Sequence, residues 1–138
     1  MNGHAEKARR LFLDGANCAQ AVVGAFAEDY GLDAVTAAKA ACGLGGGVGR
    51  LREVCGAVSG AAVVLGLKYG PDKAAVYPFV QAFAEKFRAA CGSIVCRELL
   101  EGTGATALGR PEARTKEYYA KRPCTELVAT AAELLETM

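Results

Sequence analysis

Apolar residues recur every three to four positions along most of the chain, and no run alternates as a half-buried strand would. The longest regular stripe is Val76, Phe79, Val80, Phe83 and Phe87, which share one face of a helix. The pattern predicts helices over residues 4–13, 18–30, 33–41, 55–69, 72–90, 96–100, 111–121 and 124–136.

Residues at the ends of these segments are typical helix starts and stops. Asn17 and Asp33 have side chains that cap helix N-termini, Gly31 ends a helix, and Pro123 fits a first position. Pro78 lies inside the longest segment, so the helix there is predicted to kink or to begin later. Residues 43–50 are too glycine-rich for a regular element. We therefore expect an all-α fold, a compact bundle of about five to seven helices in a single domain over 1–138.

Composition and charge narrow the classes of partner. Sixteen basic and fifteen acidic residues give a net charge of +1, which offers no electrostatic basis for binding nucleic acid. No apolar stretch reaches the eighteen residues of a membrane span, and the N-terminus lacks a hydrophobic signal region. We predict a cytoplasmic protein, in which six cysteines would normally be reduced.

The placement of the cysteines is the main chemical feature of the sequence. Four of the six, Cys18, Cys55, Cys96 and Cys124, fall where predicted helices begin. Unpaired N–H groups and the positive end of the helix dipole favour a thiolate there, the form that attacks disulfides and binds metals. Cys42 and Cys91 lie at predicted helix ends and are interpreted as ordinary thiols.

Two other features adjoin this cysteine set. Gly56 and Gly60 share a helix face and would admit a second helix or a group held by Cys55. The glycine-rich loop fits no nucleotide-binding pattern in register. Its backbone N–H groups can instead hydrogen bond a sulfur ligand. Gly47, Gly49 and Gly56 are therefore predicted to contact a cofactor.

Several familiar cysteine chemistries are disfavoured by what the sequence lacks. Thioredoxin-like motifs and zinc ribbons contain a C-x-x-C pair, and this sequence has none. The one histidine, His4, is predicted to be solvated rather than to act as a ligand.

Three functions stay open at this point. The first is electron transfer through an iron–sulfur cluster held by Cys18, Cys55, Cys96 and Cys124. The second is thiol–disulfide exchange by two of these four redox thiols, which needs no cofactor. The third is a structural zinc site or a helical interaction module.

The order of the cysteine motifs is similar to that of a known family. In chain order they are Asn17-Cys18-Ala19-Gln20, a glycine loop leading to Cys55-Gly56-Ala57-x-x-Gly60, Cys96-Arg97-Glu98-Leu99-Leu100, and Cys124. Over about residues 5–135 this pattern resembles the C_GCAxxG_C_C family of redox-active proteins. The resemblance implies a small helical protein of prokaryotic type whose cysteines form a redox centre, for which a bound metal cluster is suggested. It also implies relatives joined to haem-bearing segments, so a redox partner protein is expected; a homodimer is left open.

Overall fold

The computed structural model of the chain describes residues 3–107 and 109–138, and its regular elements are helical. Within these ranges, pairing of the β type is confined to one antiparallel bridge between Val54 and Val95. The all-α prediction is confirmed. The α-helices are α1 (His4–Leu13), α2 (Cys18–Phe26), α3 (Ala34–Ala41), α4 (Gly45–Val48), α5 (Gly56–Tyr69), α6 (Lys73–Cys91), α7 (Cys96–Leu99), α8 (Lys116–Lys121) and α9 (Cys124–Glu136), with 3-10 turns at Ala27–Tyr30 and Cys42–Leu44.

Local hydrogen bonds explain where these helices start. The Asn17 side chain accepts from the Gln20 N–H at 2.8 Å, and the Gln20 side chain accepts from the Asn17 N–H at 2.9 Å. This reciprocal pair is a capping box, which satisfies two otherwise unpaired donors. Asp33 caps α3 through the Thr36 N–H, and Asp72 caps α6 through the Ala74 N–H. The predicted starts at Asn17 and Asp33 are therefore confirmed.

Helix α2 lies at the centre of the bundle, where it packs against α1, α3, α5 and α9. Its contact with α5 is close because Gly60 has no side chain: a Cβ there would lie 3.0 Å from the Ala19 carbonyl oxygen. Around this contact the core is filled by fully buried aromatic and aliphatic side chains. The largest of them are Phe12, Phe83, Phe87, Leu65, Val22, Val23, Val64 and Val128.

The structure corrects one predicted helix start and excludes an alternative start for another helix. The helix predicted over 111–121 begins only at Lys116, because the Thr115 side chain caps it by accepting from the Tyr118 N–H at 3.1 Å. Just before this cap, Arg114 donates to the Phe12 and Ala16 carbonyls at 2.8 and 2.9 Å. Helix α6 begins at Lys73 and continues through Pro78, so it does not restart at the proline. None of the helices in the described ranges has the length and apolar character needed to cross a bilayer.

His4 contacts two carboxylates, and 30% of its side chain is exposed, so the prediction that it is solvated holds only in part. Its Nε2 lies 2.7 Å from Asp29 Oδ2, and its Nδ1 lies 2.6 Å from Glu136 Oε2. The ring also stacks on Phe26 with centroids 4.1 Å apart. Folding brings the start of α1 beside the end of α9, which the position of His4 near a terminus does not reveal.

The His4 contacts predict a pH-dependent contribution to stability. Burial lowers the pKa of His4, but hydrogen bonds to Asp29 and Glu136 outweigh it, so the pKa is raised above 6.5. The contribution is therefore fully present below the unfolded pKa of about 6.5 and lost as pH rises through the higher folded value. We expect His4→Gln to lower the free energy of unfolding by about 1 kcal/mol at pH 6 and by much less at pH 9.

Urea denaturation of the unmodified protein and of His4→Gln, at pH 6 and at pH 9, checks this expectation. Arg88→Gln is the control, because it removes an exposed pair with Glu85 that contains no histidine. An equal loss of stability for His4→Gln at pH 6 and pH 9 would contradict the assignment.

Candidate redox site

Four cysteines that are far apart in sequence line one pocket. Cys18, Cys96 and Cys124 are the first residues of α2, α7 and α9, and Cys55 immediately precedes α5. The cavity has a volume of about 50 Å³. The helix-start placement that the sequence indicated thus brings these four residues to one place.

A short stretch of strand-like pairing fixes Cys55 beside Cys96. The Cys55 N–H donates to the Ile94 carbonyl at 2.8 Å, and the Cys96 N–H donates to the Glu53 carbonyl at 2.6 Å. These bonds flank the bridge between residues 54 and 95. Two cysteines from distant segments are therefore held by backbone as well as by side-chain packing.

Glycines allow the cysteine segments to approach one another. Gly47 has φ +71°, and a Cβ there would lie 2.7 Å from the Cys96 Cβ. A Cβ on Gly56 would lie 3.0 Å from the Cys18 Cβ. Both glycines line the pocket, whereas Gly49 lines an adjoining groove and a Cβ there would meet nothing within 4 Å.

The glycine-rich segment folds into tight turns beside the cysteine pocket. It forms a 3-10 turn at Cys42–Leu44 and a single turn at Gly45–Val48. Gly46 and Gly47 adopt left-handed backbone conformations inside that turn, which other residues rarely do. Gly45 is extended and Val48 also has a positive φ, so the segment is a tight turn without regular helical geometry.

The other two cysteines lie outside this pocket. Cys42 is exposed at the end of α3 and lines the adjoining groove. Cys91 is the last residue of α6 and is half-buried. Neither lines the pocket that contains the other four, in agreement with their interpretation as ordinary thiols.

Three arginines that the sequence interpretation did not single out also line the pocket: Arg52, Arg114 and Arg122. Arg52 donates from Nη1 to the Cys96 sulfur at 3.6 Å. Arg52 and Arg122 are only 8% and 7% exposed, which is unusual for arginine. The available signal was proximity in sequence, since Arg52 precedes Cys55 by three positions and Arg122 precedes Cys124 by two.

A family model described as "Putative redox-active protein (C_GCAxxG_C_C)" matches residues 16–138. The chain belongs to this family. The match includes all four pocket cysteines. No curated protein and no solved structure matches the chain.

The thiols of this C_GCAxxG_C_C protein differ in their tendency to ionise. A hydrogen bond from Cys18 and the nearby guanidinium groups lower the pKa of Cys124, although burial opposes them. The same hydrogen bond, together with burial, raises the pKa of Cys18 well above its ordinary value. Burial raises the pKa of Cys55 to about 12 and also raises that of Cys96, despite the hydrogen bond from Arg52. The expectation that all four helix starts favour the thiolate holds only for Cys124. The hydrogen bond with Cys124 is the main cause of the raised pKa of Cys18, and burial is the main cause at Cys55 and Cys96.

These directions predict that Cys124 ionises before Cys55. We expect the alkylation rate of Cys124 to rise at a lower pH than that of Cys55, because the pKa of Cys124 is lowered and burial raises that of Cys55 to about 12. Site-resolved mass spectrometry after timed iodoacetamide treatment, with reductant and without oxygen, measures both midpoints. The midpoint reports ionisation independently of access, and exposed Cys42 supplies a reference rate. Coincident midpoints for Cys55 and Cys124 would contradict the prediction.

The donor set of the pocket fits a thiolate-bound metal. Four cysteine sulfurs suit iron–sulfur clusters and closed zinc sites. Among the described residues, no group of three or more His, Cys, Asp or Glu side chains is already arranged to hold a metal ion. Ligation would therefore require the thiols to turn towards a common centre. The cavity of about 50 Å³ that they line is larger than the roughly 10–15 Å³ that one water needs.

Proposed function

We propose that this protein transfers electrons through an iron–sulfur cluster ligated by Cys18, Cys55, Cys96 and Cys124. The observation that carries the proposal is the convergence of these four residues, from four separate segments, on one pocket. Membership of a family described as redox-active supports the same conclusion. When bound, such a cluster accepts and releases single electrons at a potential set by its surroundings.

The surroundings of the pocket suit a negatively charged group. Ligating cysteines are thiolates, and burying several of them together is costly unless positive charge lies nearby. Arg52, Arg114 and Arg122 line the same cavity and would supply that charge. The N–H of Arg52 that reaches the Cys96 sulfur at 3.6 Å would also stabilise the thiolate.

A second function, thiol–disulfide exchange, is favoured by two thiols of the same pocket that differ in their tendency to ionise. Cys18 and Cys124 both line the pocket, and the interaction between them raises the pKa of Cys18 and lowers that of Cys124. In this scheme the Cys124 thiolate attacks a partner disulfide and expels one thiolate. Cys18, losing its proton, then attacks the Cys124 sulfur and expels the other. Cys18 and Cys124 are oxidised to a disulfide, and the partner is reduced to two thiols that gain the Cys18 proton and one from solvent.

Anaerobic reconstitution with ferrous iron and sulfide tests the primary proposal. A brown protein with stoichiometric iron and acid-labile sulfide, bleached by dithionite, is the expected product. A colourless, iron-free product would overturn it. A Cys18–Cys124 disulfide mapped after mild oxidation of that metal-free protein would then select thiol–disulfide exchange, and one stoichiometric zinc would select a structural site.

A further inference from the structure

A larger groove adjoins the cysteine pocket. Its volume is about 480 Å³, within the range of roughly 300–1,000 Å³ that is usual for small-molecule sites. The two cavities share part of their lining. The residues that line both are Asn17, Gly46, Arg52, Arg114, Tyr118 and Arg122.

The groove is strongly basic. Among the described residues that line it, five are arginines and one, Glu112, is acidic, an excess of four positive charges. The whole chain has a net charge of only +1, so the groove concentrates positive charge that the rest of the molecule does not share. The arginines are Arg50, Arg52, Arg110, Arg114 and Arg122.

Glu112 marks the place where the guanidinium groups converge. Its Oε1 lies 2.6 Å from Nη2 of Arg122, 3.5 Å from Nη2 of Arg50 and 3.9 Å from Nη2 of Arg52. One carboxylate oxygen therefore faces three cations at once. The Nε of Arg50 is buried and has no hydrogen-bond partner among the described residues, which leaves a donor unused.

We infer that this groove binds a small oxyanion carrying at least two negative charges, of phosphate or polycarboxylate chemistry. Guanidinium groups bind such oxygens in pairs of parallel hydrogen bonds. The ligand is a small molecule because Arg52 and Arg122 are 8% and 7% exposed, so only a group that enters the cavity can reach them. It displaces the Glu112 carboxylate from the arginines and lies beside the cysteine pocket. Binding does not depend on which chemistry the cysteines perform.

Isothermal titration of the full chain with inorganic pyrophosphate, and separately with citrate, tests the inference at fixed ionic strength. We expect saturable one-to-one binding of at least one of them, and the stronger of the two identifies the ligand chemistry. Arg50→Gln and Arg110→Gln should each weaken binding about tenfold, as expected for loss of charged hydrogen bonds. Glu112→Gln should tighten binding, since it removes the competing carboxylate.

Arg88→Gln is the matched control, because it removes the same charge from an exposed position on α6. If Arg50→Gln unfolds, the Arg110→Gln variant still tests the inference. Arg110 is exposed, and its contact with Arg50 is made by its backbone carbonyl, which Arg110→Gln retains. Three outcomes would each overturn the inference. The first is that neither anion shows saturable binding, and the second is that Arg88→Gln weakens binding as much as Arg110→Gln does. The third is that a folded Glu112→Gln variant binds more weakly than the unmodified protein. The titrations use metal-free protein because both anions chelate iron, so these outcomes are independent of iron reconstitution.

Discussion

Replacement of any one pocket cysteine by serine is expected to remove most of the iron, acid-labile sulfide and visible absorption from the reconstituted protein. Serine preserves size but replaces a soft thiolate by a hydroxyl that binds iron poorly. We expect a loss of about tenfold or more in each of Cys18→Ser, Cys55→Ser, Cys96→Ser and Cys124→Ser. Parallel reconstitution with iron and sulfide determinations measures it.

The remaining two cysteines supply the controls. Cys42 and Cys91 lie outside the pocket, so Cys42→Ser and Cys91→Ser should keep the full iron content. Circular dichroism of every variant separates loss of the cluster from loss of the fold. Full iron content in all four pocket variants would refute the proposed ligand set.

The same variants discriminate the second function. If electrons pass through a Cys18–Cys124 disulfide, only Cys18→Ser and Cys124→Ser abolish reversible oxidation, while Cys55→Ser retains it. A four-cysteine cluster predicts loss in all of them. The pattern over the variants therefore distinguishes the mechanisms without knowledge of the physiological partner.

The helices were predictable where local chemistry determines them. Asn17 and Asp33 cap the next helix through bonds that span three residues, so the sequence contains all the information. The start of α8 has the same kind of local signal, because the Thr115 hydroxyl caps it through the Tyr118 N–H, and the prediction of a start at residue 111 overlooked it. The bonds from Arg114 to carbonyls about a hundred positions earlier were not predictable, because they exist only after α1 has packed nearby.

Burial limited what could be inferred about the site. An arginine in a sequence is expected at the surface, so the buried Arg52 and Arg122 could not be distinguished from other basic residues. The ionisation of the cysteines was misjudged for the same reason. A helix terminus contributes on the order of 0.3–1 kcal/mol, less than one pKa unit. Burial, by contrast, raises the pKa of Cys55 from 9.0 to about 12.

Gly47→Ala is expected to destabilise the fold by about 3 kcal/mol or more. Its φ of +71° alone costs a residue with a side chain roughly 1–2 kcal/mol. The new methyl group would also lie 2.7 Å from the Glu53 backbone nitrogen and from the Cys96 Cβ. The Glu53 nitrogen and the Arg52 Cα, 2.8 Å away, are backbone atoms, and the Cys96 Cβ is attached directly to backbone. A side-chain rotation therefore cannot relieve the clash, so the bridge that sets Cys55 beside Cys96 must shift.

Gly49→Ala separates crowding from backbone strain. Gly49 has a similar φ of +54°, but a Cβ there meets nothing within 4 Å, so we expect a loss of only about 1 kcal/mol. Urea denaturation of both variants measures the difference. Equal losses would show that the turn absorbs the methyl group without moving Cys96. A larger loss for Gly47→Ala would mean that this glycine is needed because the Cys96 segment passes directly against it, which links the turn to the assembly of the cysteine pocket.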